Sequence, residues 1–218
     1  MEKIISLEEA INLVRDGDTI MVGGFLAVGT PEHLIDALIA KGVKDLTLIC
    51  NDTGFIDRGV GKMVVAKMFK KIFTSHVGTN KETGRQMMEG ETEVVLVPQG
   101  TLIEQIRAGG FGLGGVLTKT GLGTLVEEGK QIVEIDGEPY LLEKPMRANI
   151  ALLFAEKTDL SGNLTFHGAT RNFNTYMGAA ADISIVEAGE VVPVGEMCPD
   201  EVVVPGVFVN YIVDGGAL

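Results

Sequence analysis

The sequence is poor in several residue types that functional sites often use. It has no tryptophan, two cysteines and three histidines. Cys50 and Cys198 fit a reducing compartment, and the histidines at 33, 76 and 167 lack the spacing of metal ligands. No run approaches the roughly 20 apolar residues that a membrane helix needs, and the first residues turn acidic rather than forming a signal peptide. We therefore expect a cytoplasmic protein with no metal site and no membrane segment.

Basic residues are scarce as well. The chain has 18 lysine and arginine residues against 30 aspartates and glutamates, a net charge of −12. This argues against a nucleic-acid surface, which needs a basic face. A phosphorylated small ligand is still compatible, because backbone amides bind phosphate without basic side chains.

Glycine, in contrast, is abundant. The 29 glycines among 218 residues are about twice the usual share of ~7%. They cluster at 23–29, 54–61, 109–115 and 121–123. Clustered glycine indicates backbone at positive φ or backbone held close to another group.

The first fifty residues predict a βαβ unit. Ser6 and Glu9 form a capping box for a first helix that ends at Gly17. A strand at 19–22 leads through a glycine loop to a second helix, for which Thr30 is the expected N-cap. That helix ends before a strand at 46–50. Two strands joined through a helix indicate a parallel sheet.

The alternation of strands and helices continues along the chain. Further strands are expected at 70–76, 94–97, 149–155 and 183–187, and Thr101 is the expected cap of another helix. Residues 131–142 have the pattern of a hairpin that turns at Asp136 and Gly137. We predict an α/β fold with an open, mostly parallel sheet flanked by helices and a small β-hairpin insertion near 116–147. Residues 1–218 are expected to form a single domain without an internal repeat.

The glycine loop after the first strand is the most informative segment. Residues 16–31 run from Asp-Gly through a strand, Gly-Gly-Phe and Gly-Thr-Pro into a helix. Ligands of open α/β sheets bind beyond the carboxyl ends of strands, and paired glycines there let amides face a carboxylate or phosphate. A tight turn without a ligand explains the same pattern.

This segment resembles the alpha-subunit signature of the acetate/acetoacetate-type (3-oxoacid) CoA-transferases. The signature is Asp-Gly, two free positions, three apolar residues, Gly-Gly-Phe, three free positions and Gly-x-Pro, and every fixed position is met. Further segments that resemble the family cover nearly the whole chain in order: 51–53, 75–80, 97–102, 107–110, 121–124 and 169–174. The fold expected from the resemblance is the CoA-transferase fold.

The resemblance also implies a set of residues that bind CoA or the acyl substrate. They are Gly23, Gly24, Phe25, Leu26, Ala27, Val28, Gly29, Asn51 and Gln99. Gln99 follows a predicted strand, where its amide can donate to a substrate oxygen. Asp52 is left out, because some relatives carry a second Asn there and a carboxylate could repel an acid substrate.

The chemistry that the resemblance implies is a ping-pong transfer through a glutamate. In the family this glutamate lies in the second, beta subunit of the CoA-transferase, within a Glu-Asn-Gly segment that this chain does not contain. We therefore expect no catalytic residue in this chain, no cofactor besides the CoA thioester substrate, and activity only with the beta subunit. A hetero-oligomer of two alpha and two beta chains (A2B2) is the family expectation. Acetate, butyrate and acetoacetate are the leading acids, and the sequence does not choose among them.

One further motif is typical of a different class of enzyme. Residues 110–115 match Gly-x-Gly-x-x-Gly, but a dinucleotide fingerprint needs a strand before it and a helix after it. A dinucleotide-dependent enzyme and a non-catalytic ligand-binding or regulatory module are the alternatives. His76 is a possible base, Glu104 is expected on a solvated face, and no role is assigned to Arg107 or Lys119.

Overall fold

Strands and helices alternate along the chain. The computed structural model describes residues 3–217. The α-helices are α1 Leu7–Asn12, α2 Glu32–Lys41, α3 Val60–Val65, α4 Lys81–Met88, α5 Gln99–Gly110 and α6 Asn174–Met177. The strands are β1 Thr19–Val22, β2 Leu46–Ile49, β3 Phe69–Thr74, β4 Glu93–Leu96, β5 Val116–Thr118, β6 Gln131–Ile135, β7 Glu138–Glu143, β8 Ala148–Asp159, β9 Leu164–Thr165, β10 Ala181–Val192 and β11 Tyr211–Asp214. Within 3–217, no helix has the length and apolarity to cross a membrane.

The main sheet is doubly wound. Its strand order is β11-β10-β8-β1-β2-β3-β4, with all neighbours on this path parallel, and β9 pairs antiparallel with β8. Ile20 of β1 lies opposite Leu48 on one side and Ile150 on the other. From β1 the chain winds outward to β4, and from β8 it winds the other way to β11. The predicted parallel α/β sheet is confirmed, with its switch point between β1 and β8.

Helices cover both faces of this sheet. Leu38 of α2 and Met63 of α3 belong to one apolar cluster, together with residues of α1. Leu102 and Ile106 of α5 and Met177 of α6 belong to a second cluster. Because both faces are covered, the central strands are apolar on both sides, as parallel strands in α/β proteins usually are.

A separate three-stranded antiparallel sheet lies between β4 and β8 in sequence, with the order β5-β7-β6. Asp136 and Gly137 form its turn, with φ values of 53° and 78°. The hairpin is confirmed, and β5 adds a third strand to it. Buried Glu143 of β7 accepts a hydrogen bond from Gln105 Nε2 at 3.0 Å and pairs with Lys130, which ties this sheet to α5.

The first helix begins as predicted and ends early. The Ser6–Glu9 capping box is present in both directions. The helix ends at Asn12, so Gly17 is not its cap. Gly17 instead has φ +82° and donates its N–H to Lys44 O at 3.0 Å. The prediction that Gly17 closes the helix was therefore wrong.

Two other helix starts also differ from the prediction. Helix α2 begins one residue later than expected, with Pro31 at its N-cap, and the Thr30 hydroxyl lies beside Gly24 and does not cap the helix. Helix α5 begins at Gln99 directly after Pro98, so Thr101 lies inside the helix and does not cap it. The earlier start places Gln99 on the first turn of α5, at the edge of the sheet.

Candidate functional site

A cleft of about 390 Å³ opens at the carboxyl ends of β1 to β4. Each of these strands is followed by residues of its lining, as parallel strands that end at one edge require. The lining residues are Phe25, Leu26, Asn51, Asp52, Ser75, His76, Thr79 and Gln99. The cleft therefore lies beside the switch point, on the β2 side of β1.

Three polar side chains of the cleft form a hydrogen-bonded relay. Gln99 Nε2 donates to Asn51 Oδ1 at 2.7 Å, and Asn51 Nδ2 donates to Asp52 Oδ2 at 2.7 Å. Ser75 Oγ donates to Asn51 O at 2.7 Å. Asn51 and Asp52 are buried, whereas Gln99 is exposed to the cleft.

The direction of this relay follows from the carboxylate at its end. An ionised carboxylate only accepts hydrogen bonds, so Asn51 must turn its amide nitrogen toward Asp52. The oxygen of Asn51 then faces Gln99, which must offer its own nitrogen. Each amide nitrogen carries a second hydrogen, so the relay leaves N–H donors on Asn51 and Gln99 for a bound oxygen.

The glycine loop is a strained turn that forms one wall of the cleft. Phe25 and Val28 exchange backbone hydrogen bonds of 3.0 and 2.9 Å across the turn. Leu26 and Ala27 between them have φ values of 47° and 67°, in the left-handed region. Non-glycine residues rarely adopt this region, and their surroundings must hold them there. One such contact is the N–H of Leu26, which donates to Asp52 Oδ2 at 3.0 Å.

Two asparagines hold the loop from its other side. Asn172 Oδ1 accepts from Gly24 N–H at 3.1 Å, and Asn172 Nδ2 donates to Val28 O at 3.0 Å. Fully buried Asn174 donates to Gly29 O at 2.8 Å. Neither asparagine was a predicted site residue, although both lie in the family-like segment 169–174. Their positioning role could not be inferred from sequence, because they contact the loop from about 145 residues away.

The loop amides do not point to a ligand as expected. The N–H groups of Gly23, Gly24, Phe25, Leu26 and Val28 donate to protein acceptors between 2.9 and 3.1 Å. Within residues 3–217, only Ala27 and Gly29 of the loop have an N–H without a protein acceptor. The expectation that the paired glycines offer their amides was therefore wrong. The glycines are needed for space, since a Cβ on Gly23 would lie 1.7 Å from Asn174 Oδ1.

The structure separates the predicted binding residues into two groups. Phe25, Leu26, Asn51 and Gln99 line the cleft together. The other members of the loop do not line it. Gly23, Gly24 and Ala27 face a small gap of about 10 Å³ next to α3, Gly29 packs against Thr170, and Val28 is 46% exposed.

A second turn of the same kind follows β2. The spacing Gly-Phe-x-x-x-Gly at 24–29 recurs at 54–59, and Phe55 bridges Arg58 as Phe25 bridges Val28. The two turns touch, since a Cβ on Gly59 would lie 3.0 Å from Ala27 Cβ. The expectation of no internal repeat overlooked this short one, for which the glycine and phenylalanine spacing was the available signal.

The remaining candidates are placed as follows. His76 lines the cleft and is exposed. Glu104 pairs with Arg107 one turn along α5 at 2.6 Å, and this hydrogen bond raises the pKa of Arg107. Lys119 pairs with Glu138 at 2.8 Å. Glu104 is 45% exposed, as expected for a solvated face, and its ion-pair partner belongs to the same helix.

Cys50 lies directly after β2 and before Asn51, but it is not a nucleophile at neutral pH. It is 2% exposed, and burial raises the pKa of its thiol far above the usual range. A thiol attacks as the thiolate, which this burial suppresses.

The Gly-x-Gly-x-x-Gly motif lacks the context of a dinucleotide site. Helix α5 precedes it and the short strand β5 follows it. A dinucleotide fingerprint has the opposite arrangement, with its glycines between a strand and a helix N-terminus. The motif therefore gives no support to the alternative of a dinucleotide-dependent enzyme.

The doubly wound sheet and its edge cleft define an α/β protein with a cleft of small-molecule size. The coenzyme A transferase family model matches residues 4–215. The chain thus belongs to the coenzyme A transferase family, and the predicted resemblance and class of enzyme are confirmed.

Relatives with known names match over nearly their whole length. The chain is 54% identical to the acetate CoA-transferase subunit alpha of Escherichia coli, covering 97% of this chain and 96% of the relative. It is 49% identical to the acetoacetyl-CoA:acetate/butyrate CoA transferase alpha subunit of Clostridium acetobutylicum, with 97% of each covered.

Solved structures show the same fold at lower identity. An acyl-CoA transferase of Escherichia coli O157:H7, in thioester complex with CoA, aligns with a TM-score of 0.87 at 23% identity. The alignment covers 97% of this chain and 47% of that one, so this chain spans about half of that enzyme. Glutaconate coenzyme A-transferase of Acidaminococcus fermentans aligns with a TM-score of 0.85 at 19% identity, covering 97% of this chain and 75% of that one.

Proposed function

We propose that this chain is the alpha subunit of a two-subunit CoA transferase. It moves CoA between a short-chain acyl-CoA and a free acid such as acetate, butyrate or acetoacetate, the acids in the names of its relatives. One observation carries the proposal: the cleft has amide donors and an apolar wall, but its single carboxylate, Asp52, is already held by three N–H donors. A site built this way binds an acyl group and needs its nucleophile from elsewhere.

The cleft residues take distinct roles in this proposal. The free N–H of Gln99, at the exposed end of the relay, donates to a carboxyl oxygen of the acyl group, and that of buried Asn51 lies deeper in the cleft, beside the far end of the acyl chain. Phe25 and Leu26 supply the apolar wall against the acyl chain. The other loop residues, Gly23, Gly24, Ala27, Val28 and Gly29, hold the turn in shape, and the free amides of Ala27 and Gly29 stay available to CoA.

The transfer itself runs through a glutamate of the beta subunit. Its carboxylate attacks the thioester carbonyl, and the C–S bond breaks to give a mixed anhydride and CoA thiolate. The thiolate attacks the glutamyl carbonyl and releases the acid, leaving glutamyl-CoA. The second acid reverses these steps. N–H donors stabilise the oxyanions that form, and water must be kept out of the assembled site because it would hydrolyse both intermediates.

The proposal includes neither a metal nor a prosthetic group. Exchange of one thioester for another is nearly isoenergetic, so neither ATP nor an electrophilic metal is required. We further propose two alpha and two beta chains and a cytoplasmic location. Sedimentation of the purified complex tests the stoichiometry.

Co-expression with a beta subunit tests the function. This chain alone, the beta subunit alone and the two together are assayed for CoA transfer from acetoacetyl-CoA to acetate. We expect transfer by the complex and none by either chain. Full activity of this chain by itself would contradict the division of labour. A complex that forms but transfers no CoA to any short-chain acid would favour a non-catalytic module.

A further inference from the structure

We infer that Asp52 determines substrate specificity by placing a fixed negative charge on the floor of the acyl cleft, which restricts the acid to one carboxylate. This inference rests on the proposed function and deepens it. Asp52 lines the cleft and is 6% exposed. Its position differs from that of a surface carboxylate, whose charge water screens.

The protein contacts of Asp52 are all with hydrogen-bond donors, as a carboxylate requires. Its Oδ1 accepts from Gly54 N–H at 2.8 Å, and its Oδ2 accepts from Leu26 N–H at 3.0 Å and from Asn51 Nδ2 at 2.7 Å. A protonated carboxyl would have to donate a hydrogen bond, and all three partners are donors. Three N–H groups therefore converge on the two oxygens of this carboxylate.

Within residues 3–217, no lysine or arginine compensates this charge, and His76 is the other titratable side chain of the cleft lining. Among residues 3–217, Asp52 forms no ion pair, and neither lysine nor arginine belongs to the cleft lining. Its donors are neutral amides, which solvate the charge without cancelling it. A negative field therefore extends into the cleft.

This field acts on one end of the substrate. The reacting carboxylate must face the glutamate of the beta subunit at the exposed mouth of the cleft, so the acyl chain extends inward, past exposed Gln99 toward buried Asp52. A methyl group or a ketone at its far end meets Asp52 without a charge penalty. A second carboxylate there would meet a like charge, and in a partly buried site the repulsion at about 6–8 Å corresponds to tenfold or more in binding.

Two acids of similar length but different charge distinguish the effect of substrate charge from that of substrate size. The alpha–beta complex is assayed with succinate, a dianion, and with monomethyl succinate, a monoanion of at least the same length, using acetyl-CoA as the donor. We expect wild-type kcat/KM to be at least about tenfold higher for monomethyl succinate. Equal values for the two acids would overturn the inference.

Variants then assign the discrimination to Asp52. Asp52→Asn removes the charge, and it can also turn an amide N–H group toward the N–H of Gly54. Two donors that face each other disturb the turn, so we expect both acids to react more slowly. The readout is therefore the ratio between them, which we expect to fall by about tenfold. Asp52→Ser serves the same purpose if Asp52→Asn does not assemble. Asp57→Asn is the control, since Asp57 lies on the neighbouring turn with its side chain 67% exposed.

The outcomes separate this inference from the proposed function. An active wild-type complex whose ratio is unchanged in both Asp52 variants contradicts the specificity role alone. A ratio that falls equally in Asp57→Asn also contradicts it, because the effect would then be long-range. A wild-type complex that transfers CoA to none of the acids contradicts the proposed function, and this inference with it.

Discussion

Gly23 gives the sharpest test of how the glycine loop is built. An added Cβ would lie 1.7 Å from Oδ1 and 2.6 Å from Cγ of Asn174. Asn174 is fully buried and holds three backbone groups: it donates to Gly29 O and Thr170 O at 2.8 and 3.0 Å and accepts from Phe154 N–H at 3.1 Å. Gly23→Ala must therefore displace this side chain.

The expected cost follows from the hydrogen bonds that are lost. A buried group left unsatisfied costs about 1–3 kcal/mol. Losing two of the three bonds of Asn174 therefore predicts a destabilisation of about 3 kcal/mol. For a chain of this size that corresponds to a fall in Tm of about 6–12 °C.

Urea unfolding followed by circular dichroism measures this loss. Gly84→Ala is the matched control, because Gly84 lies inside α4 with no heavy atom within 4 Å of an added Cβ. We expect that variant to gain up to about 1 kcal/mol from helix propensity. A Gly23→Ala protein as stable as wild type would refute the account of the loop.

A double variant isolates the clash. Asn174→Ala alone loses the same hydrogen bonds, but it removes all three atoms that an added Cβ at position 23 would meet. Gly23→Ala should then cost little more on that background. We expect a coupling free energy of about 2 kcal/mol in the double-mutant cycle, and strictly additive losses would show that the two residues do not collide.

Three further predictions concern activity, pH and thiol chemistry. Gln99→Leu removes the exposed end of the relay and should lower kcat/KM of the complex about tenfold or more. We expect Tm to stay unchanged, and a Tm that falls together with kcat/KM would indicate a structural role. Hydrogen bonds from Arg85 lower the pKa values of Glu82 and Glu91 from 4.5 to about 2. Their stabilising contribution is thus present above pH 4.5 and lost as pH falls toward 2, so the stability difference between wild type and Arg85→Ala, measured by urea unfolding, should shrink across that window. Cys50 should resist a thiol reagent in the folded protein and react only in denaturant, while the other, exposed cysteine reacts at once; two fast thiols would contradict the burial.

Local signals predicted much of the sheet. The strand at 19–22 was placed correctly, because four apolar or β-branched residues stand between an Asp and two glycines. The Ser6–Glu9 box and the Asp136–Gly137 turn were correct for the same reason, since each depends on contacts within a few residues. Helices α3 and α4 had weaker signals, one being six residues long and the other mostly polar.

Residues of the site could be predicted from sequence only where they directly follow the end of a predicted strand. Asn51 and Gln99 were predicted because each follows a strand that ends at the same edge and because the resemblance to the CoA-transferases implies them. The roles of Asp52, Asn172 and Asn174 depend on contacts between distant segments, which no local pattern contains. Asp52 was treated only as a repulsive charge, and the sequence did not reveal that it is also the acceptor that orders the relay and the turn.

The location of the covalent intermediate tests the central claim most directly. The alpha–beta complex is incubated with acetoacetyl-CoA, and the intact mass of each chain is measured by mass spectrometry under denaturing acid conditions. Our account predicts that the mass of CoA, less one water, is added to the beta chain and that this chain keeps its unmodified mass. A CoA adduct on this chain would contradict the account, because the nucleophile would then lie in the alpha subunit.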